Sequence, residues 1–566
     1  MTVRSRGLVL LTAALLSGCR RAAPEAPELI VLNGKVWTGD LARPEAEAIA
    51  IRNSRILTVA NSDVVRAMAS AETRIIDAGG RRVVPGFNDA HWHLPLRETA
   101  DLAGAGTVDE IVRRLKAFTT GPPDAWVLGD GWGPSDFPRL QPHRRHLDAA
   151  FPDRPVLITD RDGHQILVNS RAMALAGISR ETPDPPNGRL GRDAKGELTG
   201  LLQEGAMGLA RRLLPPVSAD DADRALRLTL QKASSYGLTS VQDASASDPS
   251  GQRLAAYERA WRAGTLPVRV RVAMPLERNV TPARLAELVR LRDEHKDRSL
   301  SFGIVKGMLD GTVDGHTAAM LKPYADRPNE SGLPMWDQAA LDAAVTVHDQ
   351  AGLQIELHAV GDRAIRMALD AFTRARSVNG TSERRHRIEH AELPTPEDLR
   401  RFRSLGVVAS TQAMFASPDA ITLTSFAPAL GPERASRADA FARFDDAGIV
   451  QAFGSDYPVF TMEVMRGIHA AVTRQLPDGT PAGGWYPANR ISVAAALRHF
   501  TADAAAASRE EHEKGTLTPG KLADLVVLSE DVFEVPPERL WAVKAMMTMV
   551  GGKVTFESSD WKNTGR

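Results

Sequence analysis

The residues of this chain best suited to chemistry are histidines and single charges placed at the ends of apolar runs. The segment Pro85-Gly86-Phe87-Asn88-Asp89-Ala90-His91-Trp92-His93 sets His91 and His93 two positions apart. On an extended strand both imidazoles project to one side, and two neutral imidazoles on one face suit a divalent transition metal. With 14 histidines in 566 residues, such a pair arises by chance roughly 0.3 times per chain, so the pair alone decides little. Four more residues carry the argument further. Lys306 interrupts the apolar run Ser301 to Met308, where an amine is costly unless it snorkels, pairs or is modified. His358 ends Gln354-Ile355-Glu356-Leu357-His358, His390 ends His386-Arg387-Ile388-Glu389-His390, and Asp456 follows Gln451 to Ser455. Each alone reads as a satisfied structural polar group; the six together read as one site.

These residues need elements that bring them to one place. From Val83 to about Ala507 short apolar runs alternate with amphipathic helical stretches. The expected strands are Val83–His93, Gly237–Asp243, Val268–Ala273, Phe302–Asp310, Leu353–Ala359, Arg385–Glu392, Gly406–Gln412 and Ile449–Ser455. Alternating β and α with buried strands predicts a parallel sheet covered by helices. Eight units predict an α/β fold, a (β/α)8 TIM barrel, whose active sites sit at the C-terminal ends of the strands. That is where all six residues fall. The barrel domain is expected over 85–507, with an insertion over about 95–235 rich in Gly, Pro, Asp and Trp.

The ends of the chain read differently. Leu29 to Thr38, Ala48 to Val59, Arg74 to Val84, Gly515 to Leu528 and Val543 to Phe556 are β-like, with Gly551-Gly552 as a hairpin turn. Neither end has enough strands to bury a sheet face alone. A small composite β-sandwich built from 29–84 and 508–560 is expected.

Composition narrows the function classes. Hydrophobic residues are 43% and charged residues 25%, as in globular proteins. Lys+Arg and Asp+Glu are 70 each, so no bulk positive field holds nucleic acid. The single cysteine excludes an intrachain disulfide and a thiolate zinc cluster. Its place is Cys19, after Arg4, Arg6, the apolar run Gly7 to Leu16 and Leu16-Ser17-Gly18. A basic start, a short apolar stretch and small residues before a cleavage point describe a secretory signal. Leu-Ser-Gly-Cys resembles the bacterial lipoprotein processing box. That resemblance implies a signal peptide over 1–18, lipidation of Cys19, a tether over 19–28 and a lipid-anchored place in the bacterial cell envelope, on its periplasmic face or at the cell surface.

The ordered motifs resemble the amidohydrolase superfamily of metal-dependent hydrolases, in its family-3, YtcJ-like group. The segments that carry this are Pro85 to His93, Asp162 to Ser170, Lys306 to Thr312, His358 to Ala364, Arg387 to Ala391, Gly454 to Pro458 and Gly515 to Val526. The resemblance implies that His91 and His93 bind one divalent ion with Asp456, that His358 and His390 bind a second, and that Lys306 bridges them as a carbamate. One or two ions of zinc type are implied, with Lys306 unmodified in the one-ion case. A divalent ion lowers the pKa of its water from about 15.7 to near 7, with Asp456 as the catalytic proton carrier. Asp162, His164 and His316 are the implied substrate-binding residues, and Trp92, Trp132 and Phe415 are candidate walls of an apolar cavity. The expected activity is hydrolysis of carbon–nitrogen bonds other than peptide bonds, such as amide, N-formyl or cyclic amide. The alternatives are an ester, lactone or phosphotriester hydrolase on the same site, or a non-catalytic surface lipoprotein. The expected partners are a small-molecule substrate and, through the anchor, a membrane; self-association into a homo-oligomer stays open.

Overall fold

Eight strands wind around one axis: β1 Phe87–Trp92, β2 Leu238–Asp243, β3 Arg269–Pro275, β4 Leu300–Met308, β5 Gln354–Ala359, β6 Arg387–His390, β7 Val408–Gln412 and β8 Gln451–Gly454. They are the expected eight, in chain order. Each hydrogen-bonded pair from β1 to β8 runs parallel. This computed structural model describes residues 26–119, 122, 124–245, 251–295, 298–381 and 383–561. The expected signal, Cys19 and most of the tether lie outside the described residues.

The first strand is shorter than its apolar run suggests. Val83–His93 breaks at Gly86: Arg82–Pro85 joins a sheet of the terminal domain, and only Phe87–Trp92 enters the barrel. A side chain at 86 would collide with Thr239 of β2, so the crossing between sheets needs glycine.

The barrel closes where its candidate site residues lie. The Asp456 N–H donates to the His91 carbonyl at 2.7 Å, and the His93 N–H donates to the Tyr457 carbonyl at 2.7 Å. The Asp89 carboxylate adds a stitch, accepting from the Ser455 N–H at 2.9 Å and its hydroxyl at 2.5 Å. Gly454 lets β8 approach β1; a Cβ there would sit 2.5 Å from the His91 nitrogen.

Outer helices bury one apolar stripe each. The helix Asp362–Asn379 turns Ala364, Ile365, Ala368, Leu369 and Phe372 inward onto Ile355 and Leu357 of β5, the spacing of an amphipathic helix. The interior of the barrel is not wholly apolar. Arg387 of β6 is fully buried and donates to the Ala90 carbonyl at 2.6 Å, Gln242 Oε1 at 2.6 Å, Ser410 Oγ at 2.9 Å and Glu389 Oε1 at 2.9 Å. At the opposite mouth Lys514 Nζ bonds Glu510 Oε2 at 2.8 Å and Ser240 Oγ at 2.9 Å.

The terminal strands form two facing sheets. One holds Arg55–Ala60, Ala48–Arg52, Leu29–Leu32 and Arg74–Asp77; the other holds Lys553–Glu557, Ala545–Val550, Leu525–Leu528, Arg82–Pro85, Lys35–Trp37 and Glu45–Ala46. The run Leu29 to Thr38 is thus two strands in two sheets, broken at Asn33, with φ of 54°, and Gly34. Val31, Ile49, Ile51 and Ile76 of the first sheet meet Val83, Leu525, Val527 and Met547 of the second. The first sheet is built wholly from the N-terminal end, whereas the second takes strands from both chain ends, so the sandwich is complete only with the C-terminal strands.

Between β1 and β2 the chain builds a separate six-stranded sheet over Ala100–Glu204. The last part of the stretch expected as insertion belongs to the barrel: the helix Ala219–Ser235 packs Leu226, Leu230 and Ala233 against the cluster that holds Leu238 and Val241 of β2. Among the described residues no helix is long and apolar enough to cross a membrane.

Candidate metal centre

The strand ends bring His91, His390 and Asp456 together with ligand atoms within 4.8 Å of one another, all buried. His93 joins them, its Nε2 2.9 Å from Asp456 Oδ1, while His91 Nε2 is 3.4 Å from the same oxygen. These approaches lack hydrogen-bond geometry, and Asp456 Oδ1 is a buried oxygen without a hydrogen bond. Lone pairs that converge without a proton between them fit a divalent cation, which the N and O donors of this set suit. Asp456 holds a φ of 55° and His390 one of 68°, a left-handed conformation that costs non-glycine residues energy and clusters at functional sites.

Lys306 and His358 complete the group. Lys306 Nζ is 3.5 Å from His91 Nε2 and makes no ion pair among the described residues. The His358 ring packs 4.4 Å from the His390 ring, and its Nε2 is 3.3 Å from the Gly311 carbonyl. The five strand-end residues of the barrel and Asp456 therefore share one mouth.

Neighbours fix the rings. Glu389 Oε2 makes a very short contact with His91 Nδ1, and Gln412 Oε1 accepts from His390 Nδ1 at 2.8 Å. Ser245 Oγ is 3.1 Å from His93 Nδ1 and donates at 2.5 Å to Asp243, which also accepts from the Tyr257 hydroxyl at 2.8 Å. Each contact occupies one ring nitrogen and leaves Nε2 for the centre, the arrangement that raises ligand basicity and sets orientation. Glu389, Gln412 and Ser245 went unseen in the sequence; the signal for Glu389 was its i−1 position to a site histidine on a strand, with Arg387 at i−2.

Electrostatics favours neutral rings and an anionic Asp456. Burial pulls His390 down to about 3 and lowers His93. Burial, then the charges of His390, His164 and Lys306, holds His358 well below its ordinary value. His91 goes the other way: burial lowers it, but Asp456 and Glu389 outweigh this. Burial raises Asp456, yet His91 and His93 bring its carboxyl well below the usual range. Neutral imidazoles and an ionised carboxylate are the forms that bind metal.

An open cavity leads to this centre. Asp162 and His164 from the insertion line it, beside His358, His390 and Asp456. His164 is held by Glu204 at 2.9 Å. Phe415 is a wall of the cavity, with Phe426 and Phe460; Trp92 and Trp132 are instead fully buried core. His316 does not reach the cavity wall. Its turn, with φ of 56°, aims the ring at Tyr324 and its Nε2 at Asp326, 2.9 Å away, so the structure gives this residue a contact with Asp326 and no place among the residues that line the cavity.

Known proteins agree with this construction. The family model described as "Amidohydrolase family" matches residues 74–556. The chain is 31% identical over 498 residues to the putative amidohydrolase YtcJ of Bacillus subtilis strain 168, covering 87% of this chain and 92% of that one. It is 28% identical over 558 residues to the N-substituted formamide deformylase of Arthrobacter pascens, covering 94% and 98%. Among solved structures, an uncharacterized metal-dependent hydrolase from Pyrococcus horikoshii OT3 superimposes with a TM-score of 0.71 at 25% identity, over 90% of this chain and 99% of that one.

Proposed function

Since the chain belongs to the amidohydrolase family and is a metal-dependent hydrolase, we propose that it cleaves carbon–nitrogen bonds other than peptide bonds, in amides, N-formyl amines or cyclic amides. The observation that carries this reading is the buried Asp456 carboxylate, which faces two imidazole nitrogens and the cavity at once. The Arthrobacter relative, named for deformylating N-substituted formamides, supports the choice of bond.

In this reading His91, His93 and Asp456 would hold one divalent ion of zinc type, and His358 and His390 would hold the second where two are bound. Lys306 would contribute to holding them as a carbamate, formed when its amine adds CO2 and releases a proton, which would turn an unpaired buried cation into an anion. Bound there, the metal supplies an acidified water and a polarised carbonyl. The residues of the chain do the rest. Asp456 accepts the proton of the attacking water and returns it to the departing nitrogen. Glu389, Gln412 and Ser245 keep the rings aligned, and the phenylalanine wall limits water at the reacting bond.

Protein purified without chelator is expected to carry one to two ions per chain, and Asp456→Asn to lower kcat by at least about 100-fold. A screen over N-formyl, N-acyl and cyclic amides tests the bond class. Turnover of esters or phosphotriesters with none of amides refutes it.

For the N-terminus, we propose that cleavage before Cys19 and lipidation of its thiol hold the protein in the bacterial cell envelope. Cys19→Ala is then expected to release it from membranes, and continued membrane association refutes the anchor.

A further inference from the structure

We infer that Glu204 is a positioning residue for the hydrolysis: from a strained turn of the insertion, its carboxylate holds His164 so that the free nitrogen of that ring, Nε2, faces a substrate bound beside His358. This rests on hydrolysis at the metal centre, whichever bond is cleaved.

Glu204 closes the strand Leu198–Glu204 with φ of 49° and ψ of −123°. These angles are those of the first central residue of a type II′ turn, where glycine dominates. A residue with a side chain keeps them only where its surroundings enforce it, and here they do. The Glu204 N–H donates to the His164 carbonyl at 3.1 Å, and the Gly205 N–H donates to the Asn187 carbonyl at 2.8 Å. Gly205 packs so closely on Pro186 that a Cβ would sit 2.6 Å from the Pro186 carbonyl oxygen. The residue under this strain is nonetheless a glutamate, with a side chain only 3% exposed. Strain of this kind clusters at functional sites, and the contacts of the side chain show what it serves.

Both carboxylate oxygens face His164 Nδ1, at 2.9 and 3.1 Å. A carboxylate on one ring nitrogen sets which way the other faces. His164 Nε2 makes no hydrogen bond among the described residues. The ring lines the cavity and lies 4.9 Å from the ring of His358, within reach of anything held there. Insertion and barrel are fitted to each other at this point. The Glu204 carboxylate lies against Gly311, where a Cβ would sit 1.9 Å from Oε1, and the Gly311 carbonyl is 3.3 Å from His358 Nε2. Gln203, next to Glu204, donates to the Gly315 carbonyl at 3.0 Å. Glu204 is not itself among the residues that line the cavity, so it acts on a substrate only through the ring it holds.

The test is a double-variant cycle on metal-loaded full-length protein, with the best substrate of a screen over amides and esters. Glu204→Gly removes the carboxylate and relieves the strained turn together, so no backbone cost to folding confuses the result. It and His164→Ala are each expected to lower kcat/KM by about 100-fold, mostly in kcat, with metal content per chain unchanged. Glu204→Gln, whose amide oxygen still accepts from Nδ1, is expected to lose less than about tenfold. The combined Glu204→Gly/His164→Ala variant is expected to stay within about threefold of His164→Ala alone, because residues that act as a unit are not additive. A crystal structure of Glu204→Gly is expected to show the His164 ring turned and the metal ligands in place. Losses that multiply in the combined variant, a His164 ring that keeps its place without the carboxylate, or metal lost from Glu204→Gly overturns the inference. If no compound of the screen is cleaved, the bond-class reading fails, and the place of the ring in that crystal structure alone upholds or overturns the positioning role.

Discussion

Gly454→Ala tests how tightly the closure of the barrel governs the metal centre. Gly454 ends β8, and an added Cβ meets backbone atoms of His91, the nearest at 2.5 Å, where an ordinary contact needs about 3.4 Å. No flexible side chain can yield, so β8 and β1 must part by about 1 Å. Such overpacking costs about 1–3 kcal/mol of stability. The larger effect falls on the site, because the displaced residue is His91 itself and the displaced strand leads into Asp456. A misplacement of about 1 Å in a reacting constellation costs roughly 100-fold. The variant is expected to fold with a lower melting temperature, to lose metal to a competing chelator at concentrations the parent protein resists, and to lose about two orders of magnitude in kcat/KM. Gly208→Ala is the control, since nothing lies within 4 Å of its added Cβ. A Gly454→Ala protein with unchanged chelator resistance and turnover refutes the argument that this close approach sets the ligand geometry.

Three further outcomes are expected. Glu389→Gln, which keeps the volume but removes the charge between His91 and Arg387, should weaken metal affinity by about 10–100-fold in a chelator titration; unchanged affinity would show that His91 needs no anionic support. Glu510 is pushed up by burial, but Lys514 and Arg271 bring it down to about 2 from 4.5. A depressed carboxyl stabilises above its unfolded value and loses that contribution as pH falls from about 5 toward 2, up to about 3 kcal/mol here; in denaturant melts Glu510→Gln should be less stable at pH 7 and show a flatter acid slope, and an identical slope counts against the pair. Dialysis against chelator should abolish hydrolysis and lower the melting temperature, with both restored by a divalent ion; full activity in metal-free protein contradicts metal dependence.

Much of the barrel was legible because buried parallel strands are continuous apolar runs, and the polar residues at their ends stand out against them. What periodicity could not show is where a run changes sheet. Val83–His93 and Leu29–Thr38 each read as one strand, yet Gly86 and Asn33-Gly34 split them through tertiary packing. The groups that steady the rings were hidden for a related reason. Gln412 ends β7 and Ser245 lies just past β2, far along the chain from the histidines they touch, and nothing local in the chain marks such a contact. Glu392 and Asp439 are far apart in sequence, so their joint place on the cavity exists only once the loops are packed. His316 illustrates the converse: a motif position suggested the cavity, and a left-handed turn sent the ring to Asp326.

The closure of β1 on β8 has a consequence for how the chain reaches its native state. The residues that face each other there come from the first and last strands of the barrel, and the sheet beside it pairs Arg82–Pro85 with Leu525–Leu528. Contacts of such long sequence separation form slowly, because loop closure must precede their reward. Neither the barrel nor its flanking sheet is complete in a nascent chain that stops short of these C-terminal strands. The binding free energy of an ion held by His91 and Asp456 becomes available only after that last step, so metal uptake would report finished molecules, and chains interrupted before β8 would neither retain the ion nor persist as a partial enzyme.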